Sequence, residues 1–256
     1  MRTLVIGDIH GGLKGLKQLL DRAKVGDGDR LIFMGDYVDG WSESAQVIQY
    51  LMVLSHLKEC IFIKGNHDVW CEKWLRTNKP DKTWLDHGGR GAIESYSNFS
   101  EGEKKAHLKF FEQMKLYYLD GQNRLFVHGG FTSEEGVKEE PSESNFYFDR
   151  TLWEMALHLD KKIDENSDLF PKRLTLYNEI YIGHTPTLYF NSDEPLQAIN
   201  VWNVDTGAAF YGKLSAMDIH SKEVFQSDPL MELYPDEKGR NERSLNQILG
   251  KRRSAN

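Results

Sequence analysis

The stretch that decides the fold is RLIFMGDYVDGW, residues 30–41, which joins a continuous apolar run to two aspartates three positions apart. An uninterrupted apolar run of this length is typical of a strand covered on both faces, as in parallel α/β sheets. The run ends at Gly35, and Asp36 and Asp39 follow closely. Because ligands bind at the carboxyl ends of parallel strands, two carboxylates at such an end indicate a binding site there.

Three further apolar runs also end in glycine beside Asp, Asn or His, namely TLVIGD (3–8), CIFIKGN (60–66) and RLFVHGG (124–130). The segments 11–25 and 42–57, which separate the first three strand-like runs, carry apolar residues at helical spacing. Ser42 or Ser44 is a candidate N-cap for the second of these helices. The alternation of strand and helix predicts right-handed parallel crossovers and an α/β class.

The rest of the chain changes character twice. Residues 69–115 are expected to be helical in separate pieces joined near Ser100, and 148–163 form another amphipathic helix. From Glu179 onward three β-rich stretches with short links favour a meander. After residue 226 the periodic apolar spacing is lost, which predicts a mobile or loosely docked tail.

Composition and charge exclude several classes of protein. The chain has 256 residues, 39% of them hydrophobic and 28% charged, with a net charge of -7. One globular unit is therefore expected, and neither a nucleic-acid polymer nor a membrane is favoured as a partner. With no signal-peptide core and no run near the roughly 20 apolar residues of a spanning helix, we expect a cytoplasmic protein. The two cysteines imply no disulfide framework.

Side chains that bind metals follow several of the predicted strands: Asp8, His10, Asp36, Asp39, Asn66, His67, Asp68, His128 and His184. Taken singly, each is compatible with ordinary turn chemistry or a solvated side chain. Five strand ends that each carry such a side chain favour a shared site. Oxygen and imidazole ligands without thiolate suit Mn, Fe or Zn better than Ca. Four other histidines lie in different contexts and are assigned to solvated faces: His56, His107, His158 and His220.

The chain resembles the calcineurin-like metallophosphoesterases in five motifs that occur in order: GDIHG (7–11), GDYVDG (35–40), GNHD (65–68), HGG (128–130) and GHT (183–185). The set is similar to the phosphoprotein phosphatase branch, which includes bacterial serine/threonine phosphatases and symmetric diadenosine tetraphosphatases. As a set the motifs are specific, whereas one alone would be weak. The resemblance runs from about Thr3 to Asp218. It implies an α/β fold with a two-sheet β-sandwich core flanked by helices, a metallophosphoesterase domain over 1–226 and a polar C-terminal tail over 227–256.

The resemblance also implies a role for each motif residue around two divalent or trivalent metal ions, Mn or Fe/Zn. One metal would be held by Asp8 and His10, the other by Asn66, His128 and His184, with Asp36 bridging both. His67 would donate a proton to the leaving oxygen, and Asp39 would orient it. The chemistry implied is direct in-line attack by a metal-bound hydroxide on phosphorus.

Three functions are compatible with this pattern. The leading hypothesis is a serine/threonine-type phosphoprotein phosphatase that hydrolyses phosphomonoesters, with a phosphorylated protein or a small phosphoester as substrate. The alternative enzyme is a nucleotide phosphohydrolase such as a symmetric diadenosine tetraphosphatase. A non-catalytic metal-binding scaffold is the alternative of another class. The presence of both His67 and Asp39 argues against the scaffold, which needs neither.

The chain departs from the branch pattern at residue 40. Most members have an arginine after the second aspartate, where it grips phosphate with two hydrogen bonds, but here Gly40 is followed by Trp41. Arg90 and Arg150 are the candidate substrate-binding residues that replace it, and each is equally compatible with a solvated surface position. Trp41 is either a packing residue or a stacking platform for a nucleobase.

Overall fold

The computed structural model describes residues 2–250 and contains two five-stranded sheets with helices on their outer sides. The strands are β1 Thr3–Ile6, β2 Arg30–Phe33, β3 Glu59–Phe62, β4 Tyr117–Leu119, β5 Arg124–Val127, β6 Glu179–Ile182, β7 Leu196–Ala198, β8 Val201–Asn203, β9 Ser215–Asp218 and β10 Val224–Gln226. The α-helices are α1 Leu13–Arg22, α2 Ser44–Leu57, α3 Asn66–Thr77, α4 Lys82–Trp84, α5 Arg90–Ser95, α6 Glu101–Gln113, α7 Glu143–Phe148, α8 Thr151–His158, α9 Leu230–Leu233 and α10 Leu245–Ile248. The predicted two-sheet α/β fold is confirmed.

The first sheet has the strand order β10-β9-β1-β2-β3, with β1, β2 and β3 parallel. Helices α1 and α2 connect these three strands, as the sequence predicted. The predicted serine cap of α2 is wrong, because the N-cap residue is Glu43 and makes no side-chain capping bond. The Ser44 hydroxyl instead accepts a hydrogen bond from the backbone N–H of Asp39, at 3.0 Å. The start of α2 therefore helps to hold the aspartate loop in place.

The second sheet has the order β4-β5-β6-β8-β7, and the predicted meander is wrong. Strands β6 and β8 are parallel neighbours, whereas β9 leaves this sheet and pairs antiparallel with β1. Packing accounts for the difference, since β9 is buried on both faces. Ala216 joins the apolar cluster under the outer helices, and Met217 joins the cluster between the sheets.

Alternate strand residues build three apolar layers. In β2, Leu31 and Phe33 pack under the helices of the first sheet, and Ile32 points between the sheets. In β5, Phe126 joins the layer between the sheets, while its neighbours pack beneath α7 and α8. Its ring stacks on Tyr181 of β6, with centroids 4.8 Å apart. Because both faces of each sheet are covered, the strand sequences are continuous apolar runs.

His107, predicted to be solvated, is fully buried instead. Its Nδ1 lies 3.0 Å from the Tyr96 hydroxyl, and its Nε2 lies 3.1 Å from Oε1 of Gln49. Burial lowers the pKa of His107 to about 4, so the ring is neutral at neutral pH. This histidine is a hydrogen-bonded core residue of α6.

The C-terminal segment is docked on the domain, contrary to the prediction of a mobile or loosely docked tail. Leu230, Met231 and Tyr234 are buried in the same apolar cluster as α1 and α2. Helix α9 has only four residues, which is too short for its apolar spacing to reveal it in the sequence. Residues 251–256 lie outside the described part, and the domain boundary at residue 226 stays a prediction.

None of the helices in residues 2–250 combines the length and the apolar character needed to cross a bilayer. The cytoplasmic location inferred from the sequence stays a prediction.

Candidate active site

The carboxyl ends of five strands, β1, β2, β3, β5 and β6, deliver the predicted metal and catalytic residues to one edge of the two sheets. These residues are Asp8, His10, Asp36, Asp39, Asn66, His67, His128 and His184, and each is 8% exposed or less. Clustered ionisable groups at this depth need compensating charge or hydrogen bonds. The structure therefore brings together the eight residues for which a metal or catalytic role was predicted. Asp68, the ninth strand-end residue, is also buried, and its carboxylate accepts hydrogen bonds from the backbone N–H groups of Asp36, Tyr37 and Gly65.

The backbone of this site is strained at four of the eight residues. His10, Asp36, Asp39 and His184 have positive φ angles of 50°, 51°, 71° and 67°. Such left-handed conformations cost about 1–3 kcal/mol each in residues other than glycine and persist where the surrounding structure imposes them. Their concentration here is typical of a functional site.

Two glycines allow the carboxylates to lie directly against the backbone. A Cβ atom at Gly65 would stand 2.2 Å from Oδ1 of Asp36, and one at Gly183 would stand 2.2 Å from Oδ1 of Asp8. Both distances are far inside van der Waals contact. The glycines of the GNHD and GHT motifs are therefore required by the packing of the site.

Backbone carbonyls orient two of the histidines. The Nδ1 atom of His10 lies 3.2 Å from the carbonyl of Val38, and that of His128 lies 2.7 Å from the carbonyl of Met34. Since a carbonyl only accepts, Nδ1 carries a proton in both rings, and Nε2 has a free lone pair whenever the ring is neutral. Metal-binding histidines are commonly oriented in this way. Both Nε2 atoms face Asp36, at 3.7 Å from His10 and 3.3 Å from His128.

Two groups of potential ligand atoms share Asp36. One is His10, Asp36 and His67, the other is Asp36, His128 and His184, and within each group the atoms lie no more than 4.8 Å apart. Asp8 and Asn66 adjoin the two groups. Oδ2 of Asp8 lies 4.0 Å from Nε2 of His10. Oδ1 of Asn66 lies 3.3 Å from Nε2 of His128. The chain thus has groups of His and Asp side chains able to bind metals.

Two buried atoms of these side chains support metal binding at the site. Oδ1 of Asp8 and Nε2 of His184 have no hydrogen-bond partner in the described part of the chain. Buried polar atoms without partners are costly, and a bound cation would satisfy both. The residues present therefore fit a pair of metal ions.

Burial and charge shift the pKa values of these groups. Burial raises the pKa of Asp8 well above its usual value and lowers the pKa of His10 and His184 well below theirs. Burial disfavours the protonated form of His128. The negative charges of Asp36 and Asp8 outweigh this effect and raise the pKa of His128 to about 10. The site therefore holds positive charge on His128, and metal binding would release that proton.

His67 and Asp39 form a buried pair at the mouth of this cluster. Nδ1 of His67 lies 2.6 Å from Oδ2 of Asp39, and the indole N–H of Trp84 donates to the same oxygen at 2.6 Å. Burial raises the pKa of Asp39 well above its usual value and lowers that of His67 to about 3. The hydrogen bond places one proton between Nδ1 of His67 and Oδ2 of Asp39. Trp84 lies outside the five motifs, and sequence reasoning assigned it no role.

The predicted substrate arginines lie on different sides of the site. Nη1 of Arg150 donates to Oγ1 of Thr185 at 2.9 Å and to the carbonyl of His184 at 3.4 Å. Arg90 is exposed and lines a cleft beside Gly40. Their contact with substrate stays a prediction.

Trp41 is a packing residue. It is fully buried, its indole N–H donates to the carbonyl of Ala208 at 2.7 Å, and its ring stacks on Tyr234 with centroids 5.2 Å apart. Because its indole N–H is hydrogen-bonded and its ring is stacked inside the core, Trp41 is not available to a nucleobase.

Sequence reasoning missed two further charged residues at the site. Asp205 follows β8 and is 2% exposed. Burial is the main cause of the raised pKa of Asp8, and the negative charge of Asp205 is the next largest. The strand-end pattern that identified the other ligands also applies to Asp205. Arg240 donates from Nη1 to Nε2 of His67 at 3.1 Å. Arg240 lies in the segment predicted to be a polar tail, where no periodic signal marked it.

A cleft of about 570 Å³ opens beside His67 and Arg240. It is lined by Gly40, Leu85, Asp86, His87, Gly88, Arg90, Gly91, Phe210, Glu237, Lys238, Gly239, Arg240 and Asn241. The cleft is of a size typical of small-molecule sites. Gly40 leaves this side of the site open.

Residues 1–212 match the model of the calcineurin-like phosphoesterase family, and the chain belongs to that family. It is therefore a metallophosphoesterase, a hydrolase of phosphoric ester bonds, and this family uses a dinuclear metal centre. The non-catalytic scaffold considered from the sequence is not supported.

Relatives in bacteria carry a more specific name. A bis(5'-nucleosyl)-tetraphosphatase PrpE [asymmetrical] from Halalkalibacterium halodurans is 27% identical over 260 residues, covering 94% of this chain and 99% of the relative. The protein of the same name from Oceanobacillus iheyensis is 27% identical over 238 residues, covering 87% and 90%.

Solved structures share the fold. A protein described as a candidate diadenosine tetraphosphatase has a TM-score of 0.60 at 17% identity, covering 88% of this chain and 92% of its own. A serine/threonine phosphatase from Saccharomyces cerevisiae also has a TM-score of 0.60, at 16% identity, covering 90% and 83%. At these identities the likeness concerns the fold alone.

Proposed function

We propose that this enzyme hydrolyses dinucleoside tetraphosphates with a pair of metal ions. The sequence alone favoured a serine/threonine phosphoprotein phosphatase, with a nucleotide phosphohydrolase such as a symmetric diadenosine tetraphosphatase as the alternative. The names of the relatives favour a tetraphosphatase over the protein phosphatase, but the asymmetrical kind and not the symmetric kind. The structural observation that carries the proposal is the cationic cleft beside His67.

The lining of the cleft suits a nucleotide. Arg90, Lys238 and Arg240 bring three positive charges to its walls, and Phe210 adds an aromatic ring. A polyphosphate chain is bound by such cations through charge-assisted hydrogen bonds, and a base stacks on an aromatic ring. The lining also contains two carboxylates, Asp86 and Glu237, so the three cations leave a net positive charge of one. Glu237 already accepts two hydrogen bonds from Ser42.

A second group of aromatic rings adjoins His67. The ring of Trp70 is 5.0 Å from that of His67 and 5.7 Å from that of Phe148, centroid to centroid. Phe148 is 41% exposed, and its ring lies 6.5 Å from that of His184. Aromatic rings in the cleft and next to His67 suit a substrate that has two bases.

The metal-binding roles are assigned here as the family resemblance implies. We assign Asp8 and His10 to one metal, Asn66, His128 and His184 to the other, and Asp36 to both. Mixed carboxylate, amide and imidazole ligands suit Mn, Fe or Zn. When bound, the two ions would supply an activated water and positive charge for the phosphoryl oxygens.

The proton needed by the leaving group would come from the His67–Asp39 pair. As the new oxygen–phosphorus bond forms and the bond to the leaving oxygen breaks, the leaving oxygen gains negative charge. One proton lies in the hydrogen bond between Nδ1 of His67 and Asp39, so the proton for the leaving oxygen would be carried by Nε2, the other ring nitrogen. Its transfer breaks the Nε2–H bond and forms the O–H bond of the leaving group, while Asp39 stays hydrogen-bonded to Nδ1 and stabilises the protonated imidazole that acts as the donor.

A substrate panel tests this proposal. We expect kcat/KM for a dinucleoside tetraphosphate to exceed that for a phosphopeptide by roughly 100-fold or more, since each extra charged hydrogen bond contributes about 1.5–3 kcal/mol. The measurement is steady-state hydrolysis by metal-loaded protein, with 4-nitrophenyl phosphate as the reference substrate. Following the names of the relatives, chromatography should show a nucleoside triphosphate and a monophosphate. Faster hydrolysis of phosphopeptides would contradict the proposal, and two diphosphates would contradict its asymmetric part.

A further inference from the structure

The C-terminal segment docks on the loop that carries two of the site aspartates. Residues 234–241, here called the clasp, begin with Tyr234, whose ring stacks on Trp41 at an interplanar angle of 19°. The carboxylate of Glu237 accepts hydrogen bonds from the backbone N–H and the hydroxyl of Ser42, at 2.9 and 2.8 Å. The clasp is therefore held against residues that directly follow Asp39.

A turn at Gly239 directs the next residue into the site. Gly239 has a φ of 56°, and a Cβ atom there would lie 2.7 Å from the ring of Trp41. The backbone N–H of Arg240 then donates to the carbonyl of Ala209 at 2.9 Å. Both the positive φ angle and the close approach to the Trp41 ring favour glycine at position 239. The clasp thereby fixes where the Arg240 side chain starts.

The guanidinium of Arg240 lies at the reacting centre without an anionic partner. Its Nη1 is 3.1 Å from Nε2 of His67, and its Cζ is 5.3 Å from the centre of the Phe210 ring. Within residues 2–250 no carboxylate forms an ion pair with it. Gly40 contributes no side chain to this corner, and a Cβ atom there would lie 3.6 Å from Cγ of Arg240. A half-buried cation in such a place suits an anionic ligand.

We propose that Arg240 is the arginine that binds the phosphoryl group under attack, and that the clasp supplies it to the site. The inference rests on the proposed phosphoester hydrolysis. A phosphate oxygen is a stronger acceptor than a neutral imidazole, so substrate would draw the guanidinium away from His67. Nη1 of Arg240 would then contact the phosphate in place of Nε2 of His67.

The other two arginines occupy different positions. Arg150 is hydrogen-bonded to Thr185 and to the carbonyl of His184. Arg90 lines the cleft beyond Gly40. Of the three, Arg240 alone has a hydrogen bond to a group assigned to proton transfer. Arg90 and Arg150 remain candidates for contacts with the rest of the substrate.

The test compares Arg240→Ala with Arg243→Ala, which removes an exposed arginine of the same segment. For 4-nitrophenyl phosphate we expect Arg240→Ala to lower kcat/KM roughly 10- to 100-fold, the range of a hydrogen bond to a charged group. Competitive inhibition by inorganic phosphate should weaken in parallel. Free guanidinium ion at low concentration should restore part of the lost activity. Metal content should be unchanged, and Arg243→Ala should behave like the unmodified protein.

Two outcomes would overturn the inference. One is an Arg240→Ala variant that matches Arg243→Ala in kcat/KM and in phosphate inhibition. The other is a loss of activity with phosphate inhibition intact and no response to guanidinium, which would indicate a structural role. Neither readout needs a nucleotide. Suppose that the enzyme does not hydrolyse dinucleoside tetraphosphates but Arg240→Ala still lowers kcat/KM and weakens phosphate inhibition. That result would contradict the proposed substrate and would still support the role of Arg240.

Discussion

Asp36→Asn is expected to remove both metals and abolish measurable turnover. The Asp36 carboxylate belongs to both groups of ligand atoms, and the amide that replaces it is neutral and has a single acceptor oxygen. Replacing an outer-shell partner of a metal ligand typically costs about 10- to 100-fold in metal affinity, and the loss of a shared ligand should exceed that. Elemental analysis after reconstitution, together with the rate on 4-nitrophenyl phosphate, measures the effect.

Asp168→Asn, at an exposed position, is the matched control for the change of charge. It should keep full metal content and rate. The thermal unfolding of the metal-free proteins shows whether Asp36→Asn still folds. An Asp36→Asn protein that folds and retains two ions per chain would contradict the bridging role.

His67→Asn is expected to lower turnover by about 10²- to 10⁴-fold, the usual contribution of general acid catalysis. The metals should remain, because His67 is assigned to proton transfer and is held by Asp39 at 2.6 Å. The loss should be largest for a substrate with a poor leaving group and should shrink for 4-nitrophenyl phosphate. Comparing the two substrates separates proton donation from a general disturbance of the site.

The control for this variant is His158→Asn, which changes an exposed histidine at the end of α8. It should leave rate and metal content unaltered. His67 also lies within reach of the ligand group of His10 and Asp36. If His67→Asn protein loses a metal and shows the same defect with both leaving groups, His67 is a ligand and not the proton donor.

Most of the site was predictable because local patterns and one rule of sheet topology determine it. Continuous apolar runs identified β1, β2, β3 and β5 as covered strands, and side chains that follow parallel strands gather at one edge. Asp8, Asp36 and His128 were located in this way, although they come from different sheets. The sequence also contained the signal for Asp205, which follows β8 by the same rule.

The remaining features depend on packing between distant segments, which no local pattern encodes. Strand β9 joins the first sheet because its residues fill apolar space beside β1. Helix α9 docks through a few apolar side chains in an otherwise polar stretch. Trp84 and Arg240 reach the His67–Asp39 pair from far along the chain, 45 residues from Asp39 and 173 residues from His67. A single arginine in a polar stretch has no periodicity to reveal it.

A metal titration of the catalytic rate is the most direct test of a hydrolytic site built on two ions around Asp36. Metal-free protein is loaded with Mn in steps, and the rate on a dinucleoside tetraphosphate is followed against bound metal per chain. We expect the rate to keep rising until two ions are bound and then to stay constant, because water activation and phosphoryl binding need both. Full activity with one ion per chain, or in protein stripped by a chelator, would contradict it.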